Sequence, residues 1–330
     1  MRRFTCPGCR GPLFFDNTTC GACGAEVVYD LAADAFHPLT GDACRRRSTP
    51  ERCNWRAEPD GTCASCRLDT TPDPADDELA ELRAPFEGAR RRVLRQLTRL
   101  DVPWVGVEPP LRFELLRGTD DQPVTIGHAD GLITLDLAEG DPTRLATVRN
   151  SLGEPYRTPL GHVRHETGHW FWQAQVDRAF SMADSRAVFG DERADYAAAL
   201  EEHYSHADDG SWRGAFVSHY AASHPWEDFA ESFAHLLHLT DTLETARWGG
   251  LAELPAGEAA IDLPFDDVYR AWVDVTVTLN ELTRSMGMAD AYPFAVSQPA
   301  VDKIAFVGEA VRRCGRPPAP TGGPIRSSFA

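Results

Sequence analysis

The sequence predicts an α+β protein in which a small cysteine-rich module precedes a larger domain of a short sheet and several helices. Three observations carry that expectation. Eight of the nine cysteines fall within the first 66 residues, two stretches in mid-chain alternate apolar and polar residues, and helical periodicity dominates from about Leu160 onward. With 330 residues and 42% hydrophobic content, the chain can bury a real core and has room for one large and one small unit. The boundaries read as a module at 1–69, a linker at 70–77 containing Pro72, Pro74 and clustered aspartates, a domain at 78–315, and a flexible proline- and glycine-rich tail at 316–330.

The module comes first. Cys6-Pro7-Gly8-Cys9 and Cys20-Gly21-Ala22-Cys23 are two C-x2-C knuckles separated by ten residues. Each knuckle is a tight turn, eased by Gly8 and Gly21, that points two thiolates at one ion, and two of them complete a tetrahedral zinc site with Zn–S near ~2.3 Å. Cys44, Cys53, Cys63 and Cys66 form a looser set with a single C-x2-C pair, expected to close a second such site, although other pairings of the eight cysteines stay open. Sites with four protein ligands are closed and therefore structural, and metal would supply much of the folding free energy of so small a unit. Cys314 stands alone, with no evident chemistry. Arg45-Arg46-Arg47 is the one basic run in the module, read as solvated loop charge rather than a nucleic-acid grip.

Metal is preferred to disulfides because no secretory segment is legible. Met1-Arg2-Arg3 is followed by no apolar stretch, and no apolar run approaches the ~20 residues that span a bilayer. The expected compartment is the cytoplasm, with no membrane association. A net charge of −17 argues against nucleic acid as a partner.

Beyond the linker, Leu79, Leu82, Phe86, Val93, Leu94, Leu97 and Leu100 recur at helical spacing, with Arg90–Arg92 assigned to the wet side and Pro85 a place for a kink. Leu111–Leu115 and Leu132–Leu137 alternate as strands, the second introduced by the turn signal Asp130-Gly131. Leu132–Leu137 is a candidate edge strand for binding an extended peptide, against the plainer reading of an ordinary sheet strand. Helices are expected near 160–178, 190–204, 226–246, 265–285 and 298–313.

The chemistry concentrates in His165-Glu166-Thr167-Gly168-His169, an H-E-x-x-H. On a helix, residues i and i+4 share a face, so both imidazoles can hold one zinc, while Glu166 at the edge of that face can take a proton from a water the ion activates. A third ligand is expected in His224-Pro225-Trp226-Glu227-Asp228-Phe229-Ala230-Glu231. Pro225 suits a first helical turn, and Glu227 and Glu231 then share a face. Glu227 is assigned as the ligand and Glu231 as the carboxylate that orients a ligand imidazole, with the reverse assignment left open. His162, one turn before His165, is read as a helix-surface histidine in preference to an outer partner of the metal site, and His235 and His238 as non-ligands.

H-E-x-x-H followed by E-D-F-A-E resembles gluzincins of the anthrax lethal factor type, whose first glutamate binds zinc. That resemblance implies a role for Tyr220, seven residues before Glu227, in polarising the scissile carbonyl. The wider arrangement is similar to a bacterial family of zinc-binding metallopeptidases with an N-terminal zinc ribbon. The matching stretches are Cys53-Asn54-Trp55, Cys63–Leu68, Gly153–Thr158, Gly161–His169 and His224–Glu231, and the resemblance covers roughly 1–310. It implies a zincin-like metallopeptidase domain behind a zinc-ribbon module, hydrolysing amide bonds of a peptide or protein substrate with one catalytic and one or two structural Zn2+ ions. The rival reading is a non-catalytic or regulatory zinc-binding scaffold whose ribbons recruit a protein or nucleic-acid partner.

Overall fold

The computed structural model describes residues 2–72, 77–119, 121–152, 157–179, 182–254 and 259–315. The expected tail, residues 73–76 of the expected linker and the 153–156 part of the family motif lie outside them.

Two antiparallel hairpins build the N-terminal module: β1 (Phe4–Thr5) with β2 (Pro12–Leu13), and β3 (Val27–Asp30) with β4 (Ala35–Pro38). The left-handed residue of each knuckle is not the glycine inside it. It is the residue after the second cysteine, Arg10 (φ 65°) and Gly24 (φ 74°), whose N–H donates back to the carbonyl of Cys6 and Cys20 respectively. Phe4, Phe15, Tyr29 and Phe36 meet largely edge to face beneath the hairpins, and Trp55 leans on Tyr29. Aromatic pairs of this kind add to the area they bury, so the module has a denser core than its length suggests.

Helix α1 (Asp77–Arg99) runs without a break through Pro85. Of the arginines assigned to its wet side, Arg92 is partly exposed, but Arg90 and Arg91 are not there. Arg83, Arg90, Arg91 and Arg95 are buried, because carboxylates of the cysteine-rich module and Glu87 of α1 itself meet them. Arg83 pairs with Asp69, and Arg90 Nη2 donates to Glu87 at 2.6 Å. Arg95 forks onto Asp34 at 2.8 and 3.1 Å. Arg46, expected in a solvated run, donates to Asp69 at 2.6 Å and to Glu87 at 3.1 Å, while Arg47 reaches the carbonyls of Val27 and Thr18. Buried charge persists only when paired and hydrogen-bonded. Arg46 stitches the module to α1.

The sheet follows, with β5 (Arg112–Leu116), β6 (Gly127–Ala129) and β7 (Leu132–Asp136) in the order β5-β7-β6. Asp130 (φ 45°) and Gly131 (φ 81°) make the two-residue turn between β6 and β7. Both lie in the left-handed region that tight hairpins demand. The Leu132–Leu137 segment is not an edge strand: β7 is the centre, parallel to β5 and antiparallel to β6, and its alternation buries Ile133 and Leu135.

Helices complete the described residues: α2 (Pro142–Leu152), α3 (Pro159–Ala179), α4 (Met182–Phe189), α5 (Tyr196–Ser205), α6 (Pro225–Gly249), α7 (Phe265–Ser285) and α8 (Gln298–Cys314). The single helix expected over 190–204 begins only at Tyr196, where Asp195 caps it through Ala198 N at 3.1 Å. No helix among them is long and apolar enough to cross a membrane.

Candidate metal centre

The site lies where α3 crosses α6. A side chain at Gly168 would place its Cβ 2.9 Å from Ala230 Cα and 3.1 Å from Ala230 O. A glycine opposite an alanine lets the two backbones approach closely enough for their polar faces to meet. The start of α6 is fixed by His224, whose Nδ1 accepts from Trp226 N at 3.1 Å, and by Pro225 in the first turn. Glu227 and Glu231 therefore face α3.

His165 Nε2, His169 Nε2 and Glu227 Oε2 converge. The two ring nitrogens are 3.1 Å apart, and the carboxylate oxygen lies 2.9 Å from one and 3.3 Å from the other. A tetrahedral zinc with bonds of ~2.0–2.1 Å spaces its nitrogen and oxygen ligands about 3.3 Å apart, so this donor set fits zinc. Glu231 does not join the three. Its Oε1 sits 2.7 Å from His165 Nδ1, the far ring nitrogen, and its Oε2 accepts from Ser218 Oγ at 2.7 Å. A carboxylate on the outer nitrogen fixes an imidazole's rotation and tautomer. Burial pushes the Glu227 and Glu231 carboxyls up, but the adjoining imidazoles outweigh it, leaving Glu227 well below the usual range and Glu231 at about 2.

Glu166 is buried beside the cluster. Its Oε1 lies 3.4 Å from His162 Nε2, and its Oε2 has no hydrogen-bond partner among the described residues. His162 is correspondingly not a surface histidine: its Nδ1 meets Glu139 Oε2 at 2.9 Å. Tyr220 stacks obliquely on His165, with ring centres 5.7 Å apart. A second tyrosine, not singled out from sequence, reaches the centre directly, since Tyr196 donates its hydroxyl to Glu227 Oε1 at 2.7 Å. No motif spacing ties the first residue of α5 to His165, so only the fold reveals it. Burial and the Glu227 charge push both phenols up. Trp226 packs on His169 at 4.4 Å, and His128 of β6 borders the same ring. Beside them a cleft of about 380 Å³ opens between His128, Trp172, Gln173, Glu192 and Trp226. His235 and His238 are buried away from the three ligand atoms, the former on Tyr292 and the latter on Arg164, and Asp228 pairs with Lys303 at 2.6 Å.

The eight N-terminal cysteines resolve into two sets, Cys6/Cys9/Cys20/Cys23 and Cys44/Cys53/Cys63/Cys66. Cys6–Cys23 and Cys9–Cys20 sulfurs are 3.7 Å apart in the first set, and Cys53 Sγ lies 3.6 Å from Cys63 Sγ and 3.7 Å from Cys66 Sγ in the second. Four thiolates around zinc at ~2.3 Å are spaced about 3.8 Å apart, whereas a disulfide would bring two sulfurs to ~2.05 Å. Both sets fit zinc. The first leaves Cys9 and Cys23 exposed, and the second is buried throughout.

Residues 81–310 match the model of a family described as "Putative zinc-binding metallo-peptidase". Two relatives are "Uncharacterized protein Mb2598c" of Mycobacterium bovis and "Uncharacterized protein Rv2568c" of Mycobacterium tuberculosis. Each is 39% identical to the chain over 327 residues, covering 93% of this chain and 94% of the relative. No solved structure matches.

Proposed function

The chain belongs to this family of zinc-binding metallopeptidases, and from that premise we propose that it hydrolyses peptide bonds, with a catalytic zinc held by His165, His169 and Glu227 in a zincin-like domain. One observation carries the reading: three ligand atoms at zinc spacing with the unpartnered Oε2 of a buried glutamate beside them. Zinc bound there supplies a Lewis acid that brings the pKa of water from ~15.7 towards ~7 and polarises a carbonyl. Glu166 Oε2 accepts the water's proton and later returns it to the leaving amine. Tyr220, whose ring lies 5.7 Å from that of His165, donates to the carbonyl oxygen as that atom gains charge. Glu231 keeps His165 in one tautomer. The two cysteine sets hold structural zinc, so the full chain carries three ions, which metal analysis of protein purified without chelator counts directly.

The test is a peptide-library digest comparing the wild type with Glu166→Gln. The amide is nearly isosteric and Glu166 is not a ligand, so the variant should keep fold and zinc yet lose cleavage by ~10²–10⁴-fold, the usual worth of a general base. Equal cleavage by both proteins would refute the base. No cleavage by either across a broad library would favour a scaffold whose ribbon module recruits a partner.

A further inference from the structure

A carboxylate base with both oxygens free can turn either to the reaction and waste both on solvent. Glu166 has one oxygen engaged and one spare, and the engaged side continues as a chain of charged groups. His162 Nε2 lies 3.4 Å from Glu166 Oε1, and His162 Nδ1 lies 2.9 Å from Glu139 Oε2. Glu139 Oε1 in turn accepts from Arg157 Nε at 3.1 Å and Nη2 at 2.6 Å. Glu139 sits in the short 3-10 turn Leu137–Gly140, and a side chain at Gly140 would meet Leu82 O of α1 at 2.2 Å. The turn is therefore pressed against α1 and has little freedom to move.

We propose that His162, held by Glu139 and Arg157, is the positioning residue for Glu166, pinning Oε1 so that Oε2 is the oxygen presented to the reaction. The role rests on the peptidase reading above, but the geometry can be tested without it. Both ring nitrogens of His162 face a carboxylate oxygen, so both carry protons and the ring is a cation bridging two anions. Burial disfavours that charge; the two glutamates outweigh it.

The experiment uses the full-length, zinc-loaded protein with nitrogen-15-labelled histidine, its His162 signal identified by loss in His162→Gln. At about pH 8, above the ordinary histidine value of ~6.5, both His162 nitrogens should still report N–H. In Glu139→Gln the ring should revert to a single neutral tautomer. A neutral His162 in the wild type overturns the proposal, whether or not the protein cleaves peptides. With a substrate from the library, Glu139→Gln and His162→Gln should each lower kcat about 10- to 100-fold, as loss of an orienting partner does. KM and zinc content should be unchanged, and added imidazole should partly rescue His162→Ala. Unchanged kcat in folded, zinc-replete Glu139→Gln sinks the proposal while leaving the peptidase reading intact. Absence of cleavage by the wild type with a doubly protonated His162 would instead sink the peptidase reading alone.

Discussion

At the scale of single residues, Glu227 and Glu166 should answer substitution in opposite ways. Glu227 contributes one of three ligand atoms, so Glu227→Ala should release the catalytic zinc at chelator concentrations the wild type tolerates, while the thiolate-held ions remain. Zinc titration with a competing chromophore distinguishes this from Glu166→Gln, which should bind zinc as the wild type does. Glu139 gives a separate signature. Burial pushes its carboxyl up, but hydrogen bonds from His162 and Arg157 win and hold it at about 2, against an ordinary value near 4.5. A depressed folded pKa means that the unfolded chain takes up the proton first on acidification. The stability this group contributes is therefore complete above about pH 4.5 and drains away as pH falls towards 2. Denaturant melts across that window should show a shallower acid loss in Glu139→Gln than in the wild type. An unchanged slope would mean that the His162 and Arg157 contacts do not persist in solution.

At the scale of elements, the geometry depends on how closely α3 and α6 cross. Gly168→Ala puts a methyl against the backbone of Ala230, which cannot turn aside as a flexible side chain would. Overpacking of this kind costs about 1–3 kcal/mol. Because the ligands are shared between the helices, the same displacement should weaken zinc binding, and a parallel fall in melting temperature and zinc affinity is expected. Intact zinc affinity with lowered stability would show that the centre tolerates a wider crossing. This pair of helices was legible in the sequence because H-E-x-x-H and E-x3-E are local patterns, each placing two polar groups one turn apart on one face. The turn carrying Glu139 and the first residue of α5 were not, since nothing within a few positions of Glu139 or Tyr196 signals a partner far along the chain. His162 was misread for the same reason. Its spacing fits a helix surface, and only the fold brings Glu139 over it. Whether Leu132–Leu137 is an edge or an inner strand stayed open in the sequence, because alternation reveals which face is buried, not which neighbours pair on either side.

At the scale of the whole molecule, the cysteine-rich module and the helical domain share one apolar core that runs from Phe4 to Val311. Sequence suggested separable units, because the cysteines cluster before a proline-rich linker and every proposed catalytic ligand lies after it. The arginines of α1 argue otherwise, since their burial depends on partners that local periodicity cannot show. Arg83 and Arg95 pair with Asp69 and Asp34 of the module, and Arg90 Nε donates to Ser65 Oγ, between Cys63 and Cys66, at 3.2 Å. Four thiolates around one Zn2+ carry a net charge of about −2, so buried guanidinium groups beside the second cysteine set are its natural counter-charge. Removing the module would strand those cations, and stranding one member of a buried pair typically costs about 3–5 kcal/mol. A chain beginning at Asp77 should therefore fail to fold cooperatively and should lose the catalytic zinc, although it retains His165, His169 and Glu227. Loss of order in α1 would also release the turn that carries Glu139. In the full chain, Cys63→Ser should act in the same direction more mildly, lowering the melting temperature and the zinc count together. The decisive comparison is zinc content and thermal unfolding of the chain beginning at Asp77 against the full-length protein. A truncated protein that melts cooperatively with one tightly held zinc would show that α1 keeps its place without the module and that the arginine pairs are dispensable.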